Sequence, residues 1–200
     1  MALIATLPPP IPERPAALDR IAGVSRPLQW LFTAALVVGG IILLGAVLTA
    51  LFYEGPRVQV RPGGLQIFVE PGTPQLIDGW TTLGAMPFTR KLALAGSAIL
   101  MLTPALAILR QLRRLFGLYR SGVVLAVENA RCLTVMAIWL VAYAVAPSLG
   151  HLLVTAAGFD DAGWLRLDSL QALGLGLVLF VMARVMAWAA EIHDDASRFV

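Results

Sequence analysis

Four uninterrupted apolar runs, each about as long as a helix needs to cross a bilayer, decide most of what this chain can fold into. They lie at about residues 28–52, 88–109, 132–157 and 169–190. A hydrocarbon core of about 30 Å takes roughly 20 helical residues to cross. Inside it every backbone N–H and C=O must bond within the protein, which leaves helices as the structure for such runs. With 58% hydrophobic and 14% charged residues, the chain is far more apolar than a soluble domain. The sequence therefore predicts an all-α membrane protein with four transmembrane helices. Residues 16–200 form one four-helix membrane domain, and the proline-rich residues 1–15 a disordered tail.

The connections set the orientation. Between the second and third runs, Ile108 to Arg131 holds five of the chain's fifteen basic side chains: Arg110, Arg113, Arg114, Arg120 and Arg131. Its apolar residues Ile108, Leu109, Leu112, Leu115, Phe116 and Tyr119 recur at helical spacing, with Arg110, Arg113, Arg114 and Arg120 largely opposite. That is the pattern of an interfacial amphipathic helix that leaves the bilayer and lies along its surface. A second, shorter one is expected over Ala16 to Trp30, with Pro27 restarting the helix as a first-turn residue. Counted by side, ten Lys and Arg flank one face of the membrane and five the other. Positive residues stay in the cytoplasm, so both termini and the arginine-rich connection are expected there. Topology thus accounts for the net charge of +3 without direct nucleic-acid binding.

Glu54 to Pro87 is the longest polar connection. Within it Val58 and Val60 alternate with Arg57, Gln59 and Arg61, and Leu65, Ile67 and Val69 alternate with Gln66, Phe68 and Glu70. The spacing predicts a small extracytoplasmic β-hairpin over about 57–70. With the turn at Arg61 to Gly64, Val60 faces Leu65 and Val58 faces Ile67. A lone hairpin is marginal in water, so it should rest on the helix ends or on the membrane surface. Contact with an outside ligand and a compact seal over the bundle both fit, and the second is commoner for such loops.

Inside the runs, small residues four apart mark where helices can meet closely: Ala35 with Gly39, Ala46 with Ala50, Ala142 with Ala146 and Gly150, and Ala172 with Gly176. Pro104 and Pro147 predict bends. Groups that could do chemistry are sparse. Cys132 is single, and His151 and His193 are far apart. Asp160, Asp161 and Asp168 occupy a polar loop, while Glu191, His193, Asp194 and Asp195 crowd a short tail without metal-ligand spacing. No catalytic residue, cofactor or metal site is expected. Arg184, inside the last run, either snorkels to the interface or pairs with Glu191 on the same side of its helix.

The run LRRLFGLYRSGVVLAVENARCL, Leu112 to Leu133, resembles the bacterial membrane-protein family DUF2975, a domain of unknown function. The matching features are a basic Leu-rich helix followed by Tyr119, Gly122 and Asn129; Leu125 stands where that family commonly has Phe. The stretches RIAGVSRPLQWL and ARVMAWAAEIHDDASRFV are similar to the family's two ends, so the likeness extends from about Leu18 onward. It implies four transmembrane helices in a bacterial inner membrane and no established activity. It also implies genes often placed beside a helix-turn-helix regulator of the Xre type, hence a possible partner. Physically the motif reads as a turn: Gly122 ends one helix in the left-handed conformation, Leu125 returns to the interface, and Glu128 or Asn129 bonds the exposed amides that open the third span.

Two functions follow as expectations. The first is a noncatalytic bundle whose basic face, Arg110, Arg113, Arg114 and Arg120, contacts anionic lipid and a regulatory partner or a second copy of the chain. The second is a small transporter or channel subunit that uses the bends at Pro104 and Pro147. A topology reporter fused near residue 120 should read as cytoplasmic in intact cells, whereas one placed in the hairpin should read as external; the opposite pattern would invert the orientation.

Overall fold

A computed structural model describes residues 16–61, 64–69, 74–121, 126–158 and 167–197. The expected disordered tail 1–15 lies outside them, as do Gly122 and Leu125 of the motif and most of the loop that carries Asp160 and Asp161. Four helices make up most of the described chain: α1 (Ala16–Phe52), α2 (Phe88–Arg120), α3 (Val127–Ala156) and α4 (Leu167–Ser197). Each is long and apolar enough to cross a membrane, as the sequence predicts.

Their boundaries differ from the predicted spans. α2 does not stop near Leu109 but continues to Arg120, because the amphipathic stretch shares the helical period of the apolar run and no glycine or proline intervenes before Gly117. Its 33 residues measure about 50 Å, roughly 20 Å more than a hydrocarbon core. The basic stretch is thus the prolongation of a span. α1 likewise runs unbroken through Pro27. A proline removes one backbone bond, and the bonds before and after it carry the helix on. α2 and α3 pass through Pro104 and Pro147 in the same way.

Each helix packs along its length on its neighbour in sequence, α1 on α2, α2 on α3 and α3 on α4; α1 and α4 share no comparable contact. The bundle is therefore open between its first and last members. The small residues lie where the helices meet. Ala146 and Gly150 of α3 are buried, with Gly150 against Ser97 and Met101 of α2. Ala172 and Gly176 of α4 are buried too, and a β-carbon on Gly176 would stand 3.2 Å from the Ala137 carbonyl oxygen. Dispersion and close backbone approach hold apolar helices together in lipid, where burial supplies no driving force.

Between α1 and α2 lies a three-stranded antiparallel sheet in the order β2-β1-β3, with β1 at Val58–Arg61, β2 at Gly64–Ile67 and β3 at Thr81–Thr82. Val58 pairs with Ile67 and Val60 with Leu65, the register the alternation predicts. The third strand was not expected. It joins through a 3-10 turn, Leu83–Ala85, to α2. Val58, Val60, Leu83 and Met86 form a buried cluster against Tyr53, Leu94 of α2 and Val154 of α3, so the sheet rests on the helix ends. Close fit helps: a β-carbon on Gly84 would come within 2.6 Å of the Glu54 carbonyl oxygen.

The polar side of β1 is not solvated as the alternation suggests. Gln59 is wholly buried. Its Nε2 donates to the Gln75 carbonyl at 3.0 Å and its Oε1 accepts from the Ile77 amide at 3.2 Å, so one side chain satisfies the backbone of the segment that covers the sheet's upper face. Losing both bonds strands two backbone groups at about 1–3 kcal/mol. Gln59→Leu should therefore lower the thermal unfolding temperature of the detergent-solubilised protein, while Gln66→Leu, exposed on the neighbouring strand, should change stability by less than about 0.5 kcal/mol.

Candidate functional site

The arginine-rich end of α2 is held by its apolar residues. Leu115 is buried with Cys132 and Leu133 of α3 and Ala183 of α4, and Leu118, Tyr119, Leu179 and Met186 pack around them. On the side toward α1, Phe116 stacks on Phe32 with ring centroids 5.4 Å apart, and Tyr119 meets Phe116 edge-on at 5.9 Å. Arg120 Nη1 donates to Gln29 Oε1 at 3.3 Å, and Gly117 leaves room for the same glutamine, whose amide a β-carbon there would meet at 3.3 Å. The last turns of α2 thus meet α1 on one side and α3 and α4 on another. Arg110, Arg113, Arg114 and Arg120 are all exposed.

Packing also brings in two arginines of other helices. Arg114 precedes Leu115, Arg131 precedes Cys132 and Arg184 follows Ala183, and those three neighbours share one cluster. The three arginines therefore stand beside one buried cluster, at the same end of the bundle. Arg131 and Arg184 are exposed like the others. Arg184 lies over the Phe180 ring, 5.5 Å from its centroid, a contact that stabilises a cation beside apolar surroundings. No sequence pattern within α4 announces this, because the level of a residue depends on which turn of the next helix it packs against.

Of the family-like motif, Tyr119 belongs to the aromatic group just described. Asn129 is wholly buried in the first turn of α3. It does not cap the helix as expected. Ala126 holds the N-cap without a side-chain bond, and the backbone N–H of Asn129 donates to the Ala126 carbonyl at 3.0 Å. Glu128 is exposed in that first turn, where a negative charge favours the helix start.

At the opposite end, Arg90 Nε of α2 donates to the Ala157 carbonyl at the C-terminus of α3, 3.2 Å away, satisfying one of the carbonyls a helix end leaves open. Gly158 follows with a φ of +87°, the left-handed conformation that ends a helix cheaply only as glycine. His151 Nε2 lies 3.5 Å from Thr155 Oγ1 one turn on. Among the described residues, no three His, Cys, Asp or Glu side chains gather as a metal site. Two open apolar grooves flank the bundle's middle. One, of about 560 Å³, lies between α2 and α3 beside Thr103, Pro104 and Trp139; the other, of about 410 Å³, reaches α4 and includes Tyr143 and Gln171.

A family model described as "Protein of unknown function (DUF2975)" matches residues 73–197, more than half of the chain. The match takes in the Leu112 to Leu133 run and the closing helix. The similar-looking amino-terminal stretch from Arg20 to Leu31 falls outside it. Comparison with curated proteins and with solved structures gives no match.

The aromatic contact between α1 and α2 is open to a direct check. Cysteines in place of Phe32 and Phe116 should be bridged in membranes by a short bifunctional thiol reagent, whereas a pair replacing Phe32 and Leu149, of helices that share no extensive contact, should not.

Proposed function

This chain belongs to the DUF2975 family of proteins of unknown function, and from that premise we propose that it is a noncatalytic integral membrane protein whose arginine-rich end binds anionic headgroups at the inner face of a bacterial cytoplasmic membrane. Both termini lie on that face, by the excess of ten basic residues over five. The observation that carries the reading is the gathering of Arg114, Arg131 and Arg184 from three helices packed through Leu115, Cys132 and Ala183. With Arg110, Arg113 and Arg120 exposed on α2, spread over about 15 Å of that helix, this makes a collar of cations around one end of the bundle. Each contributes on the order of 1 kcal/mol toward an anionic surface, so the collar outweighs any single contact in fixing the protein's height in the bilayer.

The same collar offers a partner two things: a rigid arginine row on α2, backed by the Phe32, Phe116 and Tyr119 stack, and an anionic lipid surface beside it. A cytoplasmic regulator with an acidic face, or a second copy of the chain across the open side between α1 and α4, fits that arrangement. The transporter reading rests on the groove beside Pro104. Thr103 is the lone hydroxyl in a lining otherwise of Ile, Leu, Val, Ala, Trp and Pro, which suits an acyl chain better than an ion.

Two charge variants test the proposal. In nanodiscs of mixed zwitterionic and anionic lipid, Arg113→Gln with Arg114→Gln should lower the anionic lipid retained in native mass spectrometry several-fold for each charge removed, and rising salt should abolish the difference. Unchanged retention, with folding intact, refutes the lipid collar. Proteoliposome flux above that of empty vesicles would favour the transporter reading instead.

A further inference from the structure

The underside of the sheet does not end where the helices end. Val58 and Val60 of β1 are 5% and 4% exposed, in one buried cluster with Leu83 and Met86 against which Leu94 of α2 and Val154 of α3 pack. Ile67 and Leu65 of β2 stand directly opposite them in the ladder, so they share that face. Yet they are 60% and 61% exposed, and Val69, the next residue on the same side, is 85% exposed. The amide of Phe68 donates to the Arg57 carbonyl at 2.9 Å, which carries the strand pairing to the edge of Val69. β2 is therefore an overhang: three apolar side chains project past the bundle in the direction in which their neighbours meet the helices.

What lies in that direction follows from the level of the contact. Leu94 is about 9 Å along α2 from Phe88, so the cluster beneath β1 meets α2 in the helix's opening turns. Phe88 and Leu92 in those turns, and Phe52 at the end of α1, are exposed on helices that cross the bilayer. The upper face of the sheet has the opposite character. Gln59 is bonded there, Gln66 is exposed, and Arg61 lies 4.9 Å over the Trp80 ring. A strand with Leu65, Ile67 and Val69 exposed below and Gln66 with the half-buried Phe68 above, beside exposed apolar helix turns, is the sheet counterpart of an amphipathic interfacial helix.

We propose that β2 is a membrane foot: Leu65, Ile67 and Val69 insert into the boundary between headgroups and acyl chains of the leaflet opposite the arginine collar. The lipid surface thus completes a sheet that the helix ends cover only in part, and it shields an apolar edge strand that would otherwise invite pairing with another chain. The proposal is independent of the collar, since a different element meets a different leaflet.

The test uses the full chain in a Cys132→Ala background, in nanodiscs that hold one copy each. A polarity-sensitive fluorophore is attached at Ile67→Cys, at Gln66→Cys on the opposite face, or at Leu92→Cys as a lipid-facing reference. A nitroxide carried on the lipid headgroup region should quench the Ile67 label about as strongly as the Leu92 label and several-fold more than the Gln66 label. A water-soluble quencher should show the reverse order. Equal quenching at Ile67 and Gln66 by both reagents overturns the proposal. So does an Ile67 label that water reaches in single-copy nanodiscs and loses contact with only in crowded proteoliposomes, since that result assigns the face to a second copy.

Discussion

Apolar helices in lipid gain nothing by touching one another for burial's sake, since the acyl chains they displace are as apolar as they are. Whatever fixes this bundle must be contact that lipid cannot imitate. The structure concentrates such contact at the two ends. At one, Leu115, Cys132, Leu133 and Ala183 close together while Phe32 stacks on Phe116. At the other, Val58, Val60, Leu83 and Met86 close against Leu94 and Val154, and Arg90 bonds the Ala157 carbonyl at the end of α3. Between them the helices meet through small residues such as Gly150 and Gly176, and open grooves of about 410 and 560 Å³ face the lipid. Two clamps and a loosely filled middle are what one expects when solvent does the packing in the centre and only water-exposed ends can use the hydrophobic effect.

The clamps also explain why charge collects where it does. A guanidinium is costly in hydrocarbon and cheap at headgroups, so arginines next to a clamp residue must be either outside the core or mispositioned. Arg114, Arg131 and Arg184 are each one residue from the clamp built on Leu115, Cys132 and Ala183, and their gathering from three helices marks that end of the bundle more sharply than any one helix's hydropathy. The clamp beneath the sheet has its own markers. Arg61 over Trp80 and the exposed Phe52 and Phe88 are the aromatic and basic residues that settle at an interface.

How much of this the sequence disclosed depended on whether the signal was local. The four spans and the β1–β2 register were legible, because hydrophobic length and two-residue alternation are local properties and a slip of one residue would turn Val58 and Val60 to water. The positions of Ala146, Gly150, Ala172 and Gly176 in helix contacts were legible for the same reason. The burial of Gln59 was not, since its partners are backbone groups sixteen and eighteen residues away and nothing in VQV distinguishes a solvated glutamine from a bonded one. The extent of α2 was misjudged because a membrane span and an amphipathic helix share one period. Of the basic site, Arg110, Arg113, Arg114 and Arg120 could be named from their clustering. Gln29, Phe32 and the level of Arg184 could not, as each depends on which turn of another helix it meets.

That level has a consequence for the bilayer itself. From the clamp at Cys132 to the sheet cluster at Val154, α3 advances about 33 Å, enough for a full hydrocarbon core. On α4 the apolar span from Ser169 to Ile192 is 24 residues, about 36 Å, and suffices as well. Arg184 lies about 12 Å inside the end of that span, so the bilayer can keep its thickness only if the guanidinium reaches the headgroups along its own methylene stem. The exposure of Arg184 and its place over the Phe180 ring fit such a side chain, apolar along its length and charged at its tip.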